Sequence, residues 1–428
     1  MNSAEEASRP NYLENIYPKS DLPRYQWIKS PHLIPSQVWL TETTHRDGQQ
    51  GGLQLSAQTS IKIYDILCAF TSRSGLIRQA EFFVYSDSDR SALAACLERY
   101  QSGSPIEPTT WIRASIKDVE LIKSFSIAET GMLASCSDYH MFHKFSPGGR
   151  EAAMSAYLKA VRAALELGIR PRLHLEDATR ADPEFLKQFA NEVLNITQDA
   201  PSRLQVKVRL CDTMGLGLPF PEIAAPRGIP QLVKLFRTQG FHSEQLEFHP
   251  HNDTGLIVAN SLSAILAGVS AINGTCLGKG ERTGNAPLEQ IALHLCGMNK
   301  FDTNSIDFTQ LGKLAALYES IGSPISPQHP LFGKDAHRTR AGIHADGLNK
   351  NWRMYAPFDV PKILGRPLEI SLTKDSGLAG IQFMIRQNTN RVLPKDHPTI
   401  IEIDRQLKRQ FESGRQTAVE WEELQKLL

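Results

Sequence analysis

The 428-residue sequence is poor in cysteine and contains no long apolar run. Its six cysteines are scattered and form no C-x-x-C pair, which argues against a disulfide framework or a cysteine zinc site and favours buried free thiols. No apolar run reaches the roughly 20 residues that cross a bilayer, and the start, Met1 to Pro10, lacks a basic and then apolar leader. We therefore expect a cytoplasmic protein with no membrane partner.

The chain also has almost no excess charge, since its formal net charge is +1. This balance argues against a nucleic-acid partner held by bulk electrostatics. Internal repeats and low-complexity tracts are absent too. The chain does have length and apolar content. With 41% hydrophobic residues, it can fill a barrel of about 250–300 residues and still form a subdomain.

Two polar segments that lie far apart in the chain, 43–50 and 249–253, carry the residue types of one divalent-metal site. In His249-Pro250-His251, alternate side chains of an extended strand share a face, so both imidazoles can bind one ion. Asp47 adds a hard oxygen ligand. Such a set suits a Lewis acid that chelates a 2-oxo acid, which Arg46 would face. By itself, an H-x-H sequence is more often an ordinary strand with outward polar positions.

Polar clusters recur in a fixed order, each after a short apolar run that predicts a strand. The runs are 38–40, 173–175, 206–210, 246–248 and 269–275, and the clusters that follow are 46–47, 176–180, 211–215, 249–251 and 278–285. Helical patterns at 152–167 and 254–267 lie between them, as in parallel α/β folds. We predict a (β/α)8 TIM barrel, whose strand-end loops bring distant segments to one active site.

The composition divides the chain into three predicted regions. Residues 1–35, rich in proline and tyrosine, are predicted to form an N-terminal arm laid across the barrel or a partner. The catalytic barrel is predicted at 36–300. A smaller, mostly helical C-terminal subdomain is predicted at 301–428, with a lid segment and a terminal helix, because 399–428 has helical periodicity.

Three further segments carry a specific family resemblance: Ile77 to Phe83 (IRQAEFF), Ser137 to His140 (SDYH) and Arg340 to Gly347 (RAGIHADG). Together with the two metal segments, they resemble the metal-dependent acyl-CoA Claisen synthases, the family of isopropylmalate, homocitrate and Re-type citrate synthases. The resemblance spans roughly residues 36–385. It is greatest to the Re-citrate, phosphinomethylmalate and phosphonomethylmalate synthases, and it implies acetyl-CoA as a co-substrate.

The resemblance also implies roles for individual residues. Asp47, His249 and His251 would bind the metal, with Asn285 a weaker fourth ligand, and Arg46 would polarise the keto oxygen. Residues that contact or orient the oxo acid would be Gln50, Glu176, Arg180 and Thr213, and Glu281 would be an acid near the acyl-CoA end. Alternatively, Glu176 and Asp177 are carboxylates that pair with Arg180 or a helix N-terminus, and Thr213 is a cap.

In the C-terminal region, the resemblance places a general base at His344 and a supporting acid at Tyr355. The reaction needs such a base, because the methyl group of an acetyl thioester is a poor carbon acid. Histidine suits this task, since its ionisation lies nearest neutral pH. Without the motif, His344 reads as a surface or capping histidine and Tyr355 as a core or interface aromatic. In relatives this segment reaches over the neighbouring subunit, so we expect a homodimer with a shared active site.

Polar side chains near the strand ends disfavour an apolar 2-oxo acid, because desolvating them against an alkyl chain would cost several kcal/mol. These candidates are His45, Arg113, His140, His143, Lys144, Arg172 and His174, although each could simply balance a nearby carboxylate. His45 and His143 stand where Re-citrate synthases have apolar residues, so they suit a phosphonate or phosphinate. We therefore predict that acetyl-CoA condenses with phosphonopyruvate to give 2-phosphonomethylmalate and CoA.

Several alternatives remain at this stage. Oxaloacetate as substrate would make the chain a Re-type citrate synthase, and a homocitrate synthase is a further alternative. A lyase of the same superfamily is disfavoured, because such lyases carry a cysteine where Glu281 stands and lack the segment with His344 and Tyr355. A non-catalytic metabolite-binding protein would be a different class.

The sequence leaves the identity of the metal open, because one carboxylate with two imidazoles accepts Mn, Mg, Co or Zn.

Overall fold

The computed structural model describes residues 10–28 and 33–428, so residues 1–9 and 29–32 of the predicted arm lie outside the described residues. The chain divides into two compact units. The first comprises residues 26–314. The second combines residues 10–25 with residues 315–428.

Eight parallel strands close into a barrel in the first unit. Each strand pairs with the next in chain order, and the last pairs with the first. They are β1 Trp39–Glu42, β2 Ile77–Phe82, β3 Glu107–Arg113, β4 Glu129–Ser135, β5 Arg170–Glu176, β6 Lys207–Asp212, β7 Leu246–Pro250 and β8 Ala271–Gly274. This closed order confirms the predicted TIM barrel.

Helices alternate with the strands, as predicted. They are α1 Ala57–Thr71, α2 Asp87–Gln101, α3 Ile116–Ile122, α4 Asp138–Lys144, α5 Gly149–Glu166, α6 Pro183–Thr197, α7 Ile229–Gln239, α8 Ile257–Leu266, α9 Leu288–Gly297 and α10 Gln310–Ser320. Short 3-10 turns follow β1 at Asp47–Gly51 and β5 at Ala178–Arg180.

The helix starts have local causes in the sequence. Ser86 and Asp89 form a capping box at α2, in which each side chain accepts a hydrogen bond from the other residue's backbone amide. At α6, the Asp182 side chain accepts from the Glu184 amide, and Pro183 occupies the first turn, where its missing N–H costs nothing. These local signals account for where the helices begin.

The interior of the barrel is charged rather than apolar. Glu81, Arg172, Arg209 and Glu247 are almost completely buried and form ion pairs with one another across the strands. We call these four residues the ionic layer. Because buried charges are tolerated only when they are paired and hydrogen-bonded, removing one member of the layer would leave its partners as uncompensated buried charges.

The second unit contains mostly helices, which confirms the predicted helical C-terminal region. Its elements are β9 Arg338–Thr339, α11 Gly342–Lys350, α12 Val360–Leu364, β10 Glu369–Ile370, α13 Gly377–Thr389, α14 Pro398–Glu412 and α15 Trp421–Leu424. Its apolar core includes Ile381, Ile400 and Leu424. Within the described ranges, no helix has both the length and the apolar content that crossing a membrane requires.

The periodicity over 399–428 corresponds to two helices rather than one. After α14, Gly414 adopts a left-handed backbone conformation with φ of 100°, which turns the chain. Val419 then pairs with Leu372 in an antiparallel bridge before α15 begins. The apolar positions of the second half thus face the core by a route that helical periodicity alone does not reveal.

Candidate metal and substrate site

Three potential metal ligands converge at the C-terminal ends of the barrel strands. Asp47, His249 and His251 are all buried, and one ligand atom of each lies within 4.8 Å of the others. His249 Nε2 is 3.2 Å from Asp47 Oδ2, and His251 Nε2 is 3.9 Å from the same oxygen. Barrel closure therefore brings together the two segments that the sequence predicted to share one ion.

The surroundings of these atoms fit a bound cation. Asn273 holds His249 Nδ1 at 2.6 Å, which directs the other ring nitrogen towards Asp47. Asn285 Nδ2 donates to Asp47 Oδ2 at 2.6 Å. Within the described part of the chain, Asn285 Oδ1 is buried without a hydrogen-bond partner. A histidine nitrogen lone pair and the Asp47 carboxylate repel each other unless a positive charge lies between them. This set of ligand atoms therefore suits a divalent metal.

Arg46 lies beside these atoms with part of its guanidinium committed to protein contacts. Its Nε lies 2.8 Å from Glu81 Oε1 and donates to Thr43 Oγ1 at 3.0 Å, and its Nη1 lies 3.3 Å from Asp47 Oδ1. Among the described residues, Nη2 is buried with no hydrogen-bond acceptor. The Trp111 ring lies 5.1 Å from the guanidinium carbon. Arg46 is therefore rigidly held with one donor to spare.

The site keeps its carboxylates ionised. Burial opposes ionisation of Asp47, but the charge of Arg46 and the interaction with His249 outweigh it and hold the Asp47 pKa well below its usual range. For Glu81, burial is likewise outweighed by Arg209 and Arg46, and its pKa is also strongly lowered. Fixed charges are therefore present at the site before any substrate binds.

Arg172 and His174 do not line an open pocket, contrary to their selection as substrate-pocket candidates. The two Nη atoms of Arg172 donate to Glu129 and Glu81, each at 2.6 Å. His174 Nδ1 accepts a hydrogen bond from the Trp111 indole at 3.1 Å. Both side chains are almost completely buried. They support the floor of the site rather than provide free donors for a ligand.

His45 is also enclosed by protein side chains. Its ring stacks on Phe82 with a centroid distance of 4.3 Å, and its Nε2 is 3.4 Å from Glu42 Oε2. Burial lowers its pKa to about 3, so the ring is neutral. A fully enclosed neutral imidazole cannot contact a phosphonate, so we do not retain His45 as a substrate ligand.

Helix α4 brings a second polar cluster to the barrel mouth. Lys144 Nζ donates to Glu176 Oε2 at 2.6 Å, and His140 Nδ1 lies 3.1 Å from the same oxygen. The Ser135 hydroxyl also donates to it. His143, on the same helix, is exposed. Two of the predicted substrate residues, His140 and Glu176, are therefore partners of each other, whereas the His143 side chain is exposed to solvent.

Asp177 forms hydrogen bonds with two further predicted residues, Arg180 and Thr213, as the alternative interpretation proposed. Arg180 Nε donates to Asp177 Oδ1 at 2.8 Å, and Thr213 Oγ1 accepts from the Asp177 backbone amide at 2.8 Å. The guanidinium of Arg180 also lies over the Tyr139 ring. Gln50 is exposed in the turn after β1, whereas its neighbour Gln49 is buried. Arg180 and Thr213 thus have structural partners, and Gln50 is open to a ligand.

Glu281 lies on the glycine-rich loop that follows β8. Its side chain is 55% exposed, and its Oε2 is 3.3 Å from Arg282. Arg282 in turn anchors the loop, because its Nε donates to Asp253 at 2.8 Å and its Nη2 to the Thr213 carbonyl at 2.6 Å. The loop places Asn285 against Asp47 and leaves the Glu281 carboxylate accessible.

His344 and Tyr355 lie in the second unit and contact each other. Their ring centroids are 4.3 Å apart, and His344 Nδ1 is 3.2 Å from Thr339 Oγ1. His344 is on α11, and Tyr355 follows the 3-10 turn Trp352–Met354. The structure therefore pairs the two side chains that the sequence predicted to act together.

Comparison with known protein families gives a match over the barrel. The model of the HMGL-like family matches residues 37–317, which contain the whole barrel. The chain belongs to the HMGL-like family. This finding confirms the resemblance to the isopropylmalate and homocitrate synthase group, because relatives from that group are similar over most of the chain.

Among the relatives, a 2-phosphinomethylmalate synthase of Streptomyces hygroscopicus is 52% identical over 425 residues, covering 99% of this chain and 97% of that protein. A citrate (Re)-synthase of Clostridium kluyveri is 38% identical over 428 residues, covering 98% and 93%. A solved hydroxymethylglutaryl-CoA lyase from Pseudomonas aeruginosa matches with a TM-score of 0.52 and 18% identity, over 68% of this chain and 94% of that one. This last likeness concerns the fold alone.

Important residues were missed from the sequence. Asn273, Glu81 and Trp111 were given no role, although they hold His249, Arg46 and His174. Glu81 lies within the quoted segment 77–83, and Asn273 within the predicted strand 269–275. The amide side chain between Ile272 and Gly274 was the signal available for Asn273.

Proposed function

We propose that the chain is an acyltransferase that condenses acetyl-CoA with an anionic 2-oxo acid and releases CoA. The observation that carries this proposal is the buried Nη2 donor of Arg46, which has no acceptor among the described residues and lies beside Asp47, His249 and His251. Similarity along nearly the full chain to a 2-phosphinomethylmalate synthase and a citrate (Re)-synthase supports the reaction class.

In this proposal, Asp47, His249 and His251 hold a divalent ion, Mn, Mg, Co or Zn, with Asn285 as a weaker ligand. When bound, the ion supplies Lewis-acid polarisation of the oxo acid. Arg46 donates from Nη2 to the keto oxygen and stabilises the negative charge that develops there as the carbon–carbon bond forms. A guanidinium that is already fixed by Glu81 and Thr43 needs no reorganisation at that moment.

His344 acts as the base that takes a proton from the acetyl methyl group, and Tyr355 is its supporting acid. Thr339 engages His344 Nδ1, which leaves Nε2 for the substrate. The new bond joins the methyl carbon to the keto carbon, and the alkoxide takes up a proton. Water then cleaves the thioester, so the products are a substituted malate and CoA. Glu281, an exposed carboxylate, is assigned to the acyl-CoA end of the site.

We assign phosphonopyruvate, or its phosphinate analogue, as the oxo acid and 2-phosphonomethylmalate as the corresponding product. The relative of 52% identity supports this choice. The exposed His143, with Lys144 and His140 on the same short helix, offers hydrogen-bond donors to a tetrahedral anion. Gln50 completes the predicted contacts, and Glu176, Arg180 and Thr213 hold the loops around them.

A free-thiol assay tests the proposal. Purified protein with acetyl-CoA and Mn or Mg is given phosphonopyruvate, oxaloacetate, 2-oxoglutarate or 2-oxoisovalerate, and the substrates are ranked by kcat/KM. We expect phosphonopyruvate to rank first. His344→Ala should bind metal and oxo acid as the wild type does, by calorimetry, but release no CoA. Normal turnover in that variant would remove His344 from the mechanism.

Oxaloacetate is the second candidate substrate, favoured by 38% identity to two citrate (Re)-synthases over nearly the whole chain. A higher kcat/KM for oxaloacetate in the same assay would make the enzyme a Re-type citrate synthase and leave His143 without a headgroup role. Absence of thiol release with all four oxo acids would instead support a non-catalytic metabolite-binding protein.

We also propose a cytoplasmic homodimer in which His344 and Tyr355 complete the neighbouring subunit's site, on the basis of the family resemblance. No nucleic-acid or membrane partner is proposed. The test is complementation: His344→Ala and Asp47→Asn, each inactive alone, should regain activity when their subunits exchange, because mixed dimers contain one intact site. Failure to regain activity after confirmed exchange would contradict a shared site.

A further inference from the structure

The segment that carries Tyr355 is contacted by residues from the far end of the chain. Arg353 Nη1 lies 3.2 Å from Glu14 Oε1, and Nη2 donates to the Tyr17 carbonyl oxygen at 2.7 Å. Its guanidinium carbon is 5.6 Å from the centre of the Tyr12 ring. The side chain is only 20% exposed. The planar fork of one arginine thus joins three residues of the N-terminal arm, here residues 10–25.

The arm is a folded element that can hold Arg353 in place. The backbone amides of Ile16 and Tyr17 both donate to the Leu13 carbonyl at 2.8 Å, and the Arg24 amide donates to Ile16 at 2.7 Å. Leu22 is completely buried. Because these bonds close the arm on itself, the Tyr17 carbonyl is presented at a fixed position rather than on a loose strand.

Arg353 is mechanically connected to both proposed catalytic side chains. It belongs to the turn Trp352–Met354, in which the Tyr355 amide donates to the Trp352 carbonyl at 3.1 Å. The turn continues from α11, the helix of His344, because the Asn351 amide donates to the Gly347 carbonyl at 2.8 Å. A shift of the Arg353 side chain is therefore passed to Tyr355.

The Tyr355 ring is closely packed against the helix of His344, so a small movement of the ring would change its contact with His344. The Tyr355 ring packs directly on the backbone of Gly347, where a Cβ atom would lie 2.2 Å from Tyr355 Cε2. The ring also lies 4.3 Å, centroid to centroid, from His344. Tyr355 is 42% exposed, so the packing around it does not enclose it. Its position depends on the turn.

We propose that the N-terminal arm, acting through Arg353, is a positioning element for the His344–Tyr355 pair. This inference rests on the proposed catalytic role of that pair. Arg353 and Glu14 are positioning residues, because they touch the turn and not the reacting atoms. Loosening the arm slows removal of the acetyl methyl proton and leaves metal and oxo-acid binding unchanged.

The test compares Arg353→Ala, Arg353→Lys and Glu14→Ala with Arg391→Ala, a control arginine that is exposed in the same unit. Each variant is assayed for CoA release and for the isotope effect on kcat with trideuterated acetyl-CoA. We expect kcat to fall roughly tenfold in Arg353→Ala and about two- to fivefold in Glu14→Ala. The isotope effect should rise in both variants, and KM for the oxo acid should stay constant. Arg353→Lys should have a kcat between those of Arg353→Ala and the wild type.

A purely structural role would lower the melting temperature without changing the isotope effect. Values of kcat and isotope effect equal to those of Arg391→Ala would therefore overturn the inference, whatever the melting temperatures. If Arg353→Ala does not fold, Glu14→Ala decides, since its side chain is 45% exposed. A wild-type protein that releases no CoA would overturn the proposed function and this inference together, whereas an active wild type with unaffected variants would overturn only the inference.

Discussion

Asn273 determines which nitrogen of His249 faces Asp47. Its Nδ2 donates to Thr41 Oγ1 at 2.9 Å, so its Oδ1, 2.6 Å from His249 Nδ1, is an acceptor. Nδ1 therefore carries the ring proton, and Nε2 presents its lone pair 3.2 Å from Asp47 Oδ2. A residue outside every recognised ligand segment thus sets the tautomer of a proposed metal ligand.

Replacing Asn273 by leucine should weaken metal binding about 10- to 100-fold, because the imidazole loses its orienting partner. Calorimetric titration of metal-free protein with Mn would measure the change in Kd. Asn273→Asp is the matched control, since it keeps an acceptor for Nδ1 and should bind more tightly than the leucine variant. Equal Kd values for the leucine variant and the wild type would rule out this role.

Chelation should abolish CoA release, and added Mn should restore it, because the proposed reaction needs a Lewis acid at Asp47, His249 and His251. Asp47→Asn should remain inactive at the Mn concentration that restores the wild type, since an amide is a weaker ligand than a carboxylate. The measurement is CoA release against free metal. Full activity of the chelated wild type would show that no metal is required.

Arg46→Lys should lower kcat about a hundredfold. Lysine keeps the charge but cannot contact Glu81 and also supply the free Nη2 donor. Metal affinity should be unchanged. Arg99→Lys is the control, because Arg99, on α2, pairs with the α1 residue Asp65 at 2.9 Å. If both lysine variants had similar kcat values, Arg46 would have no special role in turnover.

Gly347→Ala should separate His344 from Tyr355, because the new Cβ would lie 2.2 Å from the Tyr355 ring. We expect kcat to fall at least as far as in the arm variants, with unchanged metal affinity. Gly312→Ala is the matched control, since a Cβ there meets nothing within 4 Å. Wild-type kcat in Gly347→Ala would mean that the contact between the two rings is dispensable.

Glu42 should make the folded state less stable as pH rises. Burial raises its pKa to about 8, and the charges of Glu81 and Arg46 act on it in opposite directions. A carboxyl that stays protonated only when folded contributes stability below the ordinary carboxyl pKa, and this is lost as pH rises through about 8.

Glu42→Gln tests this effect, because glutamine cannot ionise and still accepts from the Thr44 amide. The free energy of unfolding of the variant relative to the wild type should increase by about 1.4 kcal/mol per pH unit between roughly pH 5 and 8. Urea titrations at several pH values measure this difference. A difference that does not change with pH would contradict a protonated Glu42.

The strands that the sequence pattern missed show why an apolar run was an incomplete signal. In β3 and β4, which the pattern did not include, inward positions carry the polar residues Glu107, Thr109 and Glu129. Their partners are charged or polar residues of β2 and β5. An ionic interior removes the contrast between apolar and polar faces on which strand prediction depends.

The amino-acid sequence by itself determined the alternation of strands and helices, the strand-end positions of the polar clusters, and the pairing of Asp47 with the two histidines as a prediction. The first two depend on local periodicity and spacing, and the third on residue type and family resemblance. Only the tertiary structure decided that His45 turns towards Phe82, that Arg172 is enclosed, and that the arm contacts Arg353. Period-two alternation shows that neighbouring side chains point to opposite faces, but barrel closure decides which polar face is inside and which distant residue meets it.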